Sequence, residues 1–107
     1  MTLSEEEKQE AAERIQEFRE GLETDDVAQK RFTMYRFFDF LLEKFFELEG
    51  EEPVDPEERL EELSEMDGYV YKLSQDFLLA SSTMEKEQHL EKIVERVSRE
   101  LPEFGSD

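Results

Sequence analysis

Cysteine and tryptophan are absent from the sequence, and His89 is its single histidine. Without cysteine the chain forms no disulfide, no zinc–thiolate site and no thiol nucleophile, which fits a reducing, cytoplasmic location. A di-iron site of the ferritin type needs a Glu-x-x-His motif on each of two helices, whereas the residue three before His89 is Lys86. We therefore expect no metal, no cofactor and no enzymatic activity, and we expect His89 to be an ordinary residue at the edge of a helix face.

Long apolar runs and basic residues are also scarce. No stretch approaches the roughly 18 uncharged apolar residues of a transmembrane helix, and the first ten residues are too acidic for a signal or transit peptide. Lysine and arginine number 13 against 31 aspartates and glutamates, which gives a formal net charge of −18. Such a charge repels nucleic acid and anionic lipid. We therefore predict no direct nucleic-acid partner and no membrane partner, and a basic protein as the favoured partner.

Aromatic residues, in contrast, are plentiful, with nine Phe and three Tyr in 107 residues. This amount of apolar material argues against disorder, and the length favours one domain. Seven of the twelve aromatic residues lie in residues 32–46, FTMYRFFDFLLEKFF. The region 27–50 has four acids and four bases, whereas the net charge is −7 over 1–26 and −8 over 51–68. The aromatic segment is thus the neutral middle of an acidic chain.

Helix-boundary signals predict an all-α fold. Start signals, each a capping side chain ahead of an apolar run, occur at Ser4, Asp26, Asp55 and Ser82. Stop signals follow at Gly21, Gly50 and Pro102. We predict a single four-helix bundle-like domain over 1–107, with residues 102–107 as a flexible tail and helices at about 4–20, 26–49, 56–80 and 83–101.

The segment MDGYVY, residues 66–71, allows two interpretations. Asp67-Gly68 is able to form a turn that leads into a strand. Alternatively the third helix continues, because Leu63, Val70 and other apolar residues share one face straight through Gly68. Gly68 lies on the polar side, where it costs about 1 kcal/mol but removes no packing. We predict one continuous helix, bent at this point.

Apolar residues cover about half the circumference of the second predicted helix, more than the arc of about 100° that an ordinary surface helix buries. We therefore expect this helix to be central, with the other three packed around it and Tyr35 among its core-facing residues. Phe32 and Phe40 project from its opposite face, among polar residues. They are either ordinary exposed residues or a self-association patch. We predict the patch, and with it a homodimer through the second helix.

Two acidic stripes form the most prominent charged surfaces. In the first helix the stripe lies opposite the apolar face, and in the third it occupies the amino-terminal half. Like charges at i,i+4 destabilise a helix by a few tenths of a kcal/mol each, which a basic partner relieves. The predicted partner-binding residues are Glu6, Glu10, Glu13, Glu17 and Glu20 in the first helix, and Glu57, Glu58, Glu61, Glu62 and Glu65 in the third.

The sequence also contains the E-E-x-x-E pattern twice, in residues 6–10 and in residues 61–65. This pattern resembles that of the all-helical nucleotide pyrophosphohydrolases of the MazG type, which implies Mg²⁺-dependent hydrolysis by carboxylates on facing helices. Both sets, however, lie opposite the apolar stripes of their helices and should face water, whereas a Mg²⁺ site needs converging carboxylates. We carry no site residue over from this resemblance.

Three interpretations of the acidic surface compete. The acid provides only solubility, or it docks a basic protein, and the third interpretation concerns the spacing of the carboxylates. Glutamates at i, i+3 and i+4 recur about every 5–6 Å along a helix, near the scale of phosphate spacing, so the protein is alternatively a nucleic-acid mimic that blocks a DNA- or RNA-binding protein. The sequence as a whole predicts a small acidic helical interaction or regulatory protein that binds a basic protein and self-associates. A MazG-like hydrolase is the alternative from another class.

Overall fold

The computed structural model describes residues 3–52 and 54–102. Its five helices are α1 (Glu5–Gly21), α2 (Val27–Leu48), α3 (Pro56–Met66), α4 (Gly68–Leu79) and α5 (Thr83–Ser98). These two ranges contain no strand, and the predicted all-α class is confirmed. The predicted flexible tail lies, beyond Pro102, outside the described residues.

Side-chain caps begin three of the helices as the sequence predicts. The Ser4 hydroxyl accepts a hydrogen bond from the Glu7 backbone N–H at 3.2 Å, and the Glu7 carboxylate accepts one from the Ser4 N–H at 3.0 Å. This pair completes the capping box of α1. Asp26 and Ser82 cap α2 and α5 with one hydrogen bond each. The predicted start of α3 is also confirmed, with Asp55 at the N-cap and Pro56 in the first turn, but the Asp55 side chain makes no capping hydrogen bond.

The carboxyl end of α2 closes at the glycine that the sequence marks as a stop. Gly50 has a φ of 76°, the left-handed conformation that favours glycine. Its N–H donates to the Glu47 carbonyl oxygen at 3.1 Å, and the Glu51 N–H donates to the Phe46 carbonyl oxygen at 2.9 Å. These two bonds are those of a Schellman motif, and they satisfy carbonyl groups that the helix end leaves free.

The third predicted helix is interrupted at Asp67, and the prediction of one continuous helix over 56–80 is wrong. Asp67 is extended, with φ −157° and ψ 105°, and one carboxylate oxygen accepts hydrogen bonds from the N–H groups of Tyr69 at 2.9 Å and Val70 at 3.1 Å. The other oxygen lies 3.5 Å from the Arg96 guanidinium of α5. These contacts satisfy N–H groups that a continuous helix bonds internally, and they tie the break to α5.

Helix α2 lies at the centre of the side-chain packing. It buries eight residues, more than any other helix, and the buried hydrophobic residues of all five helices form one cluster. Its side chains contact each of the other helices: Phe37 stacks on Phe18 of α1, Asp39 pairs with Arg59 of α3, Phe38 stacks on Phe77 of α4, and Arg31 donates to Thr83 of α5. The aromatic segment therefore supplies seven of the 23 buried hydrophobic residues that the structure describes, including three of the four phenylalanines that are less than 2% exposed.

Candidate protein-binding surfaces

The acidic stripe of α1 lies on the face opposite its buried residues. All five predicted glutamates are exposed: Glu6, Glu10, Glu13, Glu17 and Glu20. Within the described ranges only Glu17 of this stripe forms an ion pair, with Arg14 at 2.8 Å. A shallow depression along the same face is lined by Glu13, Gln16, Glu17 and Glu20. The stripe therefore carries largely uncompensated negative charge along the length of α1.

The acidic stripe of α3 is exposed in the same way, at Glu57, Glu58, Glu61, Glu62 and Glu65. Arg59 is the single base between them, but its guanidinium turns inward to pair with Asp39 of α2, and its side chain is only 12% exposed. None of the five glutamates forms an ion pair with any residue that the structure describes. The like-charge repulsion along α3 is therefore not relieved within the chain.

Basic side chains instead hold the helices together. The Arg96 guanidinium lies 3.4 Å from the Glu49 carboxylate after α2 and 3.5 Å from that of Asp67. Lys30 of α2 pairs with Glu87 of α5 at 2.7 Å. Arg19 of α1 likewise pairs with Glu91 of α5 at 2.9 Å. Because these bases are engaged between elements, they do not neutralise the two stripes.

The two stripes lie on different flanks of α2. Helix α1 contacts α2 at Phe37, through Phe18, and α3 contacts it at Asp39, through Arg59. Positions two residues apart in a helix differ by about 200° in direction, so Phe37 and Asp39 face nearly opposite sides. The structure thus gathers the acidic residues into two separate surfaces and does not merge them into one.

Phe32 and Phe40, the predicted self-association residues, do not form one exposed patch in the structure. Phe32 is 59% exposed, as expected, and the Arg36 guanidinium lies 5.7 Å from its ring. Phe40 does not project from the opposite face: it is half-buried, its ring lies 5.5 Å from that of Phe18, and the Lys44 ammonium lies 5.5 Å above it. That expectation is wrong because α1 packs on the flank of α2 that carries Phe40.

Tyr35 is exposed, although its place in the apolar arc of α2 predicts a position in the core. It is 43% exposed, although its ring meets that of Phe77 edge-on at 5.5 Å. Tyr35 lies at the margin of the apolar arc of α2. This position indicates partial exposure, because residues at such margins face the gap between two packed helices. Phe32 and Tyr35, one turn apart, form the exposed aromatic surface of α2.

Chemistry at single residues gives no further site. His89 is half-buried, and its Nδ1 is buried without a hydrogen-bond partner. Across residues 3–52 and 54–102 no group of three or more His, Asp or Glu is placed to hold a metal ion, so the two E-E-x-x-E sets do not converge. The pKa of Glu7 is lowered, first by the backbone N–H and then by the hydroxyl of Ser4, which reflects its capping role.

Comparisons with known proteins add no family. The chain matches no protein-family model, no curated protein and no solved structure. In the part of the chain that the structure describes, none of the helices has the length and apolar character needed to span a bilayer.

Proposed function

We propose that the protein is a non-enzymatic binding or regulatory protein whose acidic stripes dock a basic protein partner. One observation carries the proposal: nine of the ten stripe glutamates have no ion pair within the described ranges, whereas acids at helix–helix contacts do. Six of the 13 bases contact another element, namely Arg19, Lys30, Arg31, Arg59, Lys86 and Arg96, and of the bases that the structure describes only Arg14 pairs with a stripe glutamate. Cytoplasmic location remains a prediction from the absence of cysteine.

The energetic reason is the repulsion stored in the stripes. Glutamates at i,i+4 on α3 destabilise the free helix by a few tenths of a kcal/mol per pair, and a partner that brings lysine or arginine removes this cost on binding. Complementary charge also steers association and rejects acidic competitors. We therefore expect the stripes to contribute specificity for a basic surface, rather than the high affinity that comes from burying a large apolar area.

Affinity capture from native lysate tests the proposal. The tagged protein is loaded at low salt, washed, and eluted at high salt, with and without nuclease. We expect a basic protein that elutes with salt, because screening weakens interactions between exposed charges. The proposal fails if the protein recovers only copies of itself, resistant to salt, since the acid then serves solubility.

A nucleic-acid mimic is a second candidate, and the continuous row of glutamates along α1 favours it. Glu6, Glu10, Glu13, Glu17 and Glu20 follow one another at three- or four-residue steps over the whole helix. Such a row presents a carboxylate about every 5–6 Å, a spacing that a phosphate-binding surface accepts. If the captured protein binds nucleic acid, the mimic predicts that this protein displaces DNA or RNA from it in a salt-sensitive way.

Self-association through α2 also belongs to the proposal, with Phe32 as the residue that supports it. Sedimentation over a range of concentrations tests it, and we expect the wild type to be a dimer and Phe32→Ser to be a monomer. Leu79→Ser is the matched control, because Leu79 is 81% exposed at the end of α4 and outside this surface. A wild type that is monomeric at every concentration would refute self-association.

A further inference from the structure

An open groove runs between the loop that joins α1 to α2 and the outward face of α5. It has a volume of about 890 Å³. Its α5 wall extends from Thr83 to Glu95, and twelve steps of ~1.5 Å make this wall about 18 Å long. An elongated cleft of this length suits a few turns of helix lying alongside α5. We call it the α2/α5 groove.

The α2/α5 groove combines exposed apolar side chains with acidic walls. Val27, at the start of α2, is 58% exposed, and Met84, in the first turn of α5, is 71% exposed. Both line the cleft. Flexible methionine adapts to different apolar side chains, which makes it common at surfaces that bind helices. These two residues are the apolar anchors that the acidic stripes lack.

Charge along the groove is predominantly negative. Two lysines line it, Lys30 and Lys92. The groove is also lined by four carboxylates, those of Asp25, Glu87, Glu91 and Glu95. Lys30 is held by Glu87 at 2.7 Å, and Arg19 engages Glu91 at 2.9 Å from outside the groove. Asp25 and Glu95 have no ion pair with any described residue, and they stand on opposite walls, one in the loop and one on α5. The groove is therefore complementary to a segment with an apolar stripe flanked by positive charge.

We propose that the α2/α5 groove binds a basic amphipathic helix of the partner protein. Apolar side chains of that helix pack against Val27 and Met84, and its lysines or arginines face Asp25 and Glu95. The inference rests on the proposed function and deepens it, because it names the segment of the basic partner that the protein takes up. The stripes then supply attraction at long range, and the groove supplies selection for amphipathic character.

A pair of synthetic peptides tests the proposal without the natural partner. The first is a leucine–lysine helix of about five turns with leucine at i, i+3, i+4 and i+7, and the second has the same composition with the leucines scattered. Binding of each is measured by fluorescence anisotropy, and amide and methyl NMR spectra locate it. We expect the amphipathic peptide to bind about tenfold more tightly than its isomer and to shift the signals of Val27, Met84 and Gln88.

Neutral variants separate the groove from the net charge. Val27→Ser with Met84→Ser removes both anchors and leaves every charge in place, and we expect it to abolish the preference for the amphipathic peptide. Leu79→Ser changes an apolar residue outside the groove that is even more exposed, at 81%, and it should retain the preference. Circular dichroism checks that all variants remain helical.

Three results overturn the groove proposal, and they differ in what they say of the proposed function. Equal binding of both peptides, unaffected by the double variant, rejects the groove but leaves charge-based docking intact. Binding of neither peptide at low salt rejects both. Concentration-dependent shifts of Val27 and Met84 without any peptide identify the groove as an interface between copies of this chain, and thereby reject the basic helix as its occupant.

Discussion

The ammonium group of Lys86 donates a hydrogen bond of 2.9 Å to the carbonyl oxygen of Phe77, across the junction between α5 and α4. Lys86 is only 4% exposed. Its ammonium also lies 3.4 Å from the Leu78 carbonyl oxygen and 5.3 Å from the rings of Tyr35 and Phe77. In an acidic chain, one of the few cations thus closes the carboxyl end of α4, where the helix dipole favours positive charge.

Replacing Lys86 by methionine is therefore expected to destabilise the protein. The apolar stem is retained, but the carbonyl oxygens of Phe77 and Leu78 lose their donor, at a cost of about 1–3 kcal/mol. Urea denaturation measures the change in the free energy of unfolding. Lys72→Met is the control, because Lys72 has a 70% exposed side chain paired with Asp76 at 3.1 Å, and such a pair contributes less than about 1 kcal/mol. Equal losses in the two variants would contradict the capping role of Lys86.

Asp67 is expected to control the break between α3 and α4. Asp67→Ala removes the acceptor for the Tyr69 and Val70 N–H groups and should lower the free energy of unfolding by about 0.5–2 kcal/mol. Asp67→Asn retains a capping oxygen and loses only the charge that faces Arg96, so it should cost less than the alanine variant. Urea denaturation compares the two. If Asn is as harmful as Ala, the ion pair rather than the cap holds the break.

Glycine at position 68 is not required by the structure. A Cβ built on Gly68 meets nothing within 4 Å, and its φ is not positive. Gly68→Ala should therefore raise the free energy of unfolding by about 0.4–1 kcal/mol, through the lower entropy of the unfolded chain. Gly50→Ala is the opposing control, because a φ of 76° costs an L residue roughly 1–2 kcal/mol. Thermal melts of both variants test the pair, and a destabilised Gly68→Ala would contradict this account.

The capping box of α1 gives the stability a defined pH dependence. The pKa of Glu7 is lower in the folded protein than its usual value because the Ser4 backbone N–H and hydroxyl stabilise the carboxylate. A lowered folded pKa means that this contribution is present above the unfolded pKa and is lost as the pH falls through the folded pKa. An NMR titration of the Glu7 side chain should show the low pKa, and Ser4→Ala should move it towards the ordinary value. Ser82→Ala, which removes the cap of α5, should leave the Glu7 titration unchanged.

Local features of the fold could be predicted from the sequence, whereas features set by neighbouring helices could not. The caps at Ser4, Asp26 and Ser82 and the stop at Gly50 depend on a few adjacent residues, and each occurs where it was predicted. The break at Asp67 depends partly on Arg96, twenty-nine positions further along the chain. Helical periodicity alone does not register such a contact.

The same distinction applies to the candidate surfaces. The stripe glutamates are exposed as predicted, because a helix face opposite a broad apolar stripe has nothing to pack against. Phe40 and Tyr35 were misplaced, since which margin of α2 is covered depends on where α1 and α4 pack. The α2/α5 groove is formed by segments distant in sequence and has no periodic signal.

The most direct test of the central claim neutralises the stripes and repeats the affinity capture. Glu10 and Glu13 of the α1 stripe and Glu58 and Glu61 of the α3 stripe are changed to Gln in one variant. In a control of equal net charge, four exposed acids outside the stripes are changed to Gln: Glu23, Glu43, Glu51 and Glu52. We predict that the wild type and the control retain the same basic protein at low salt, and that the stripe variant loses it. Loss from both variants alike, or retention by the stripe variant, would contradict the assignment of the acidic stripes as the binding surface.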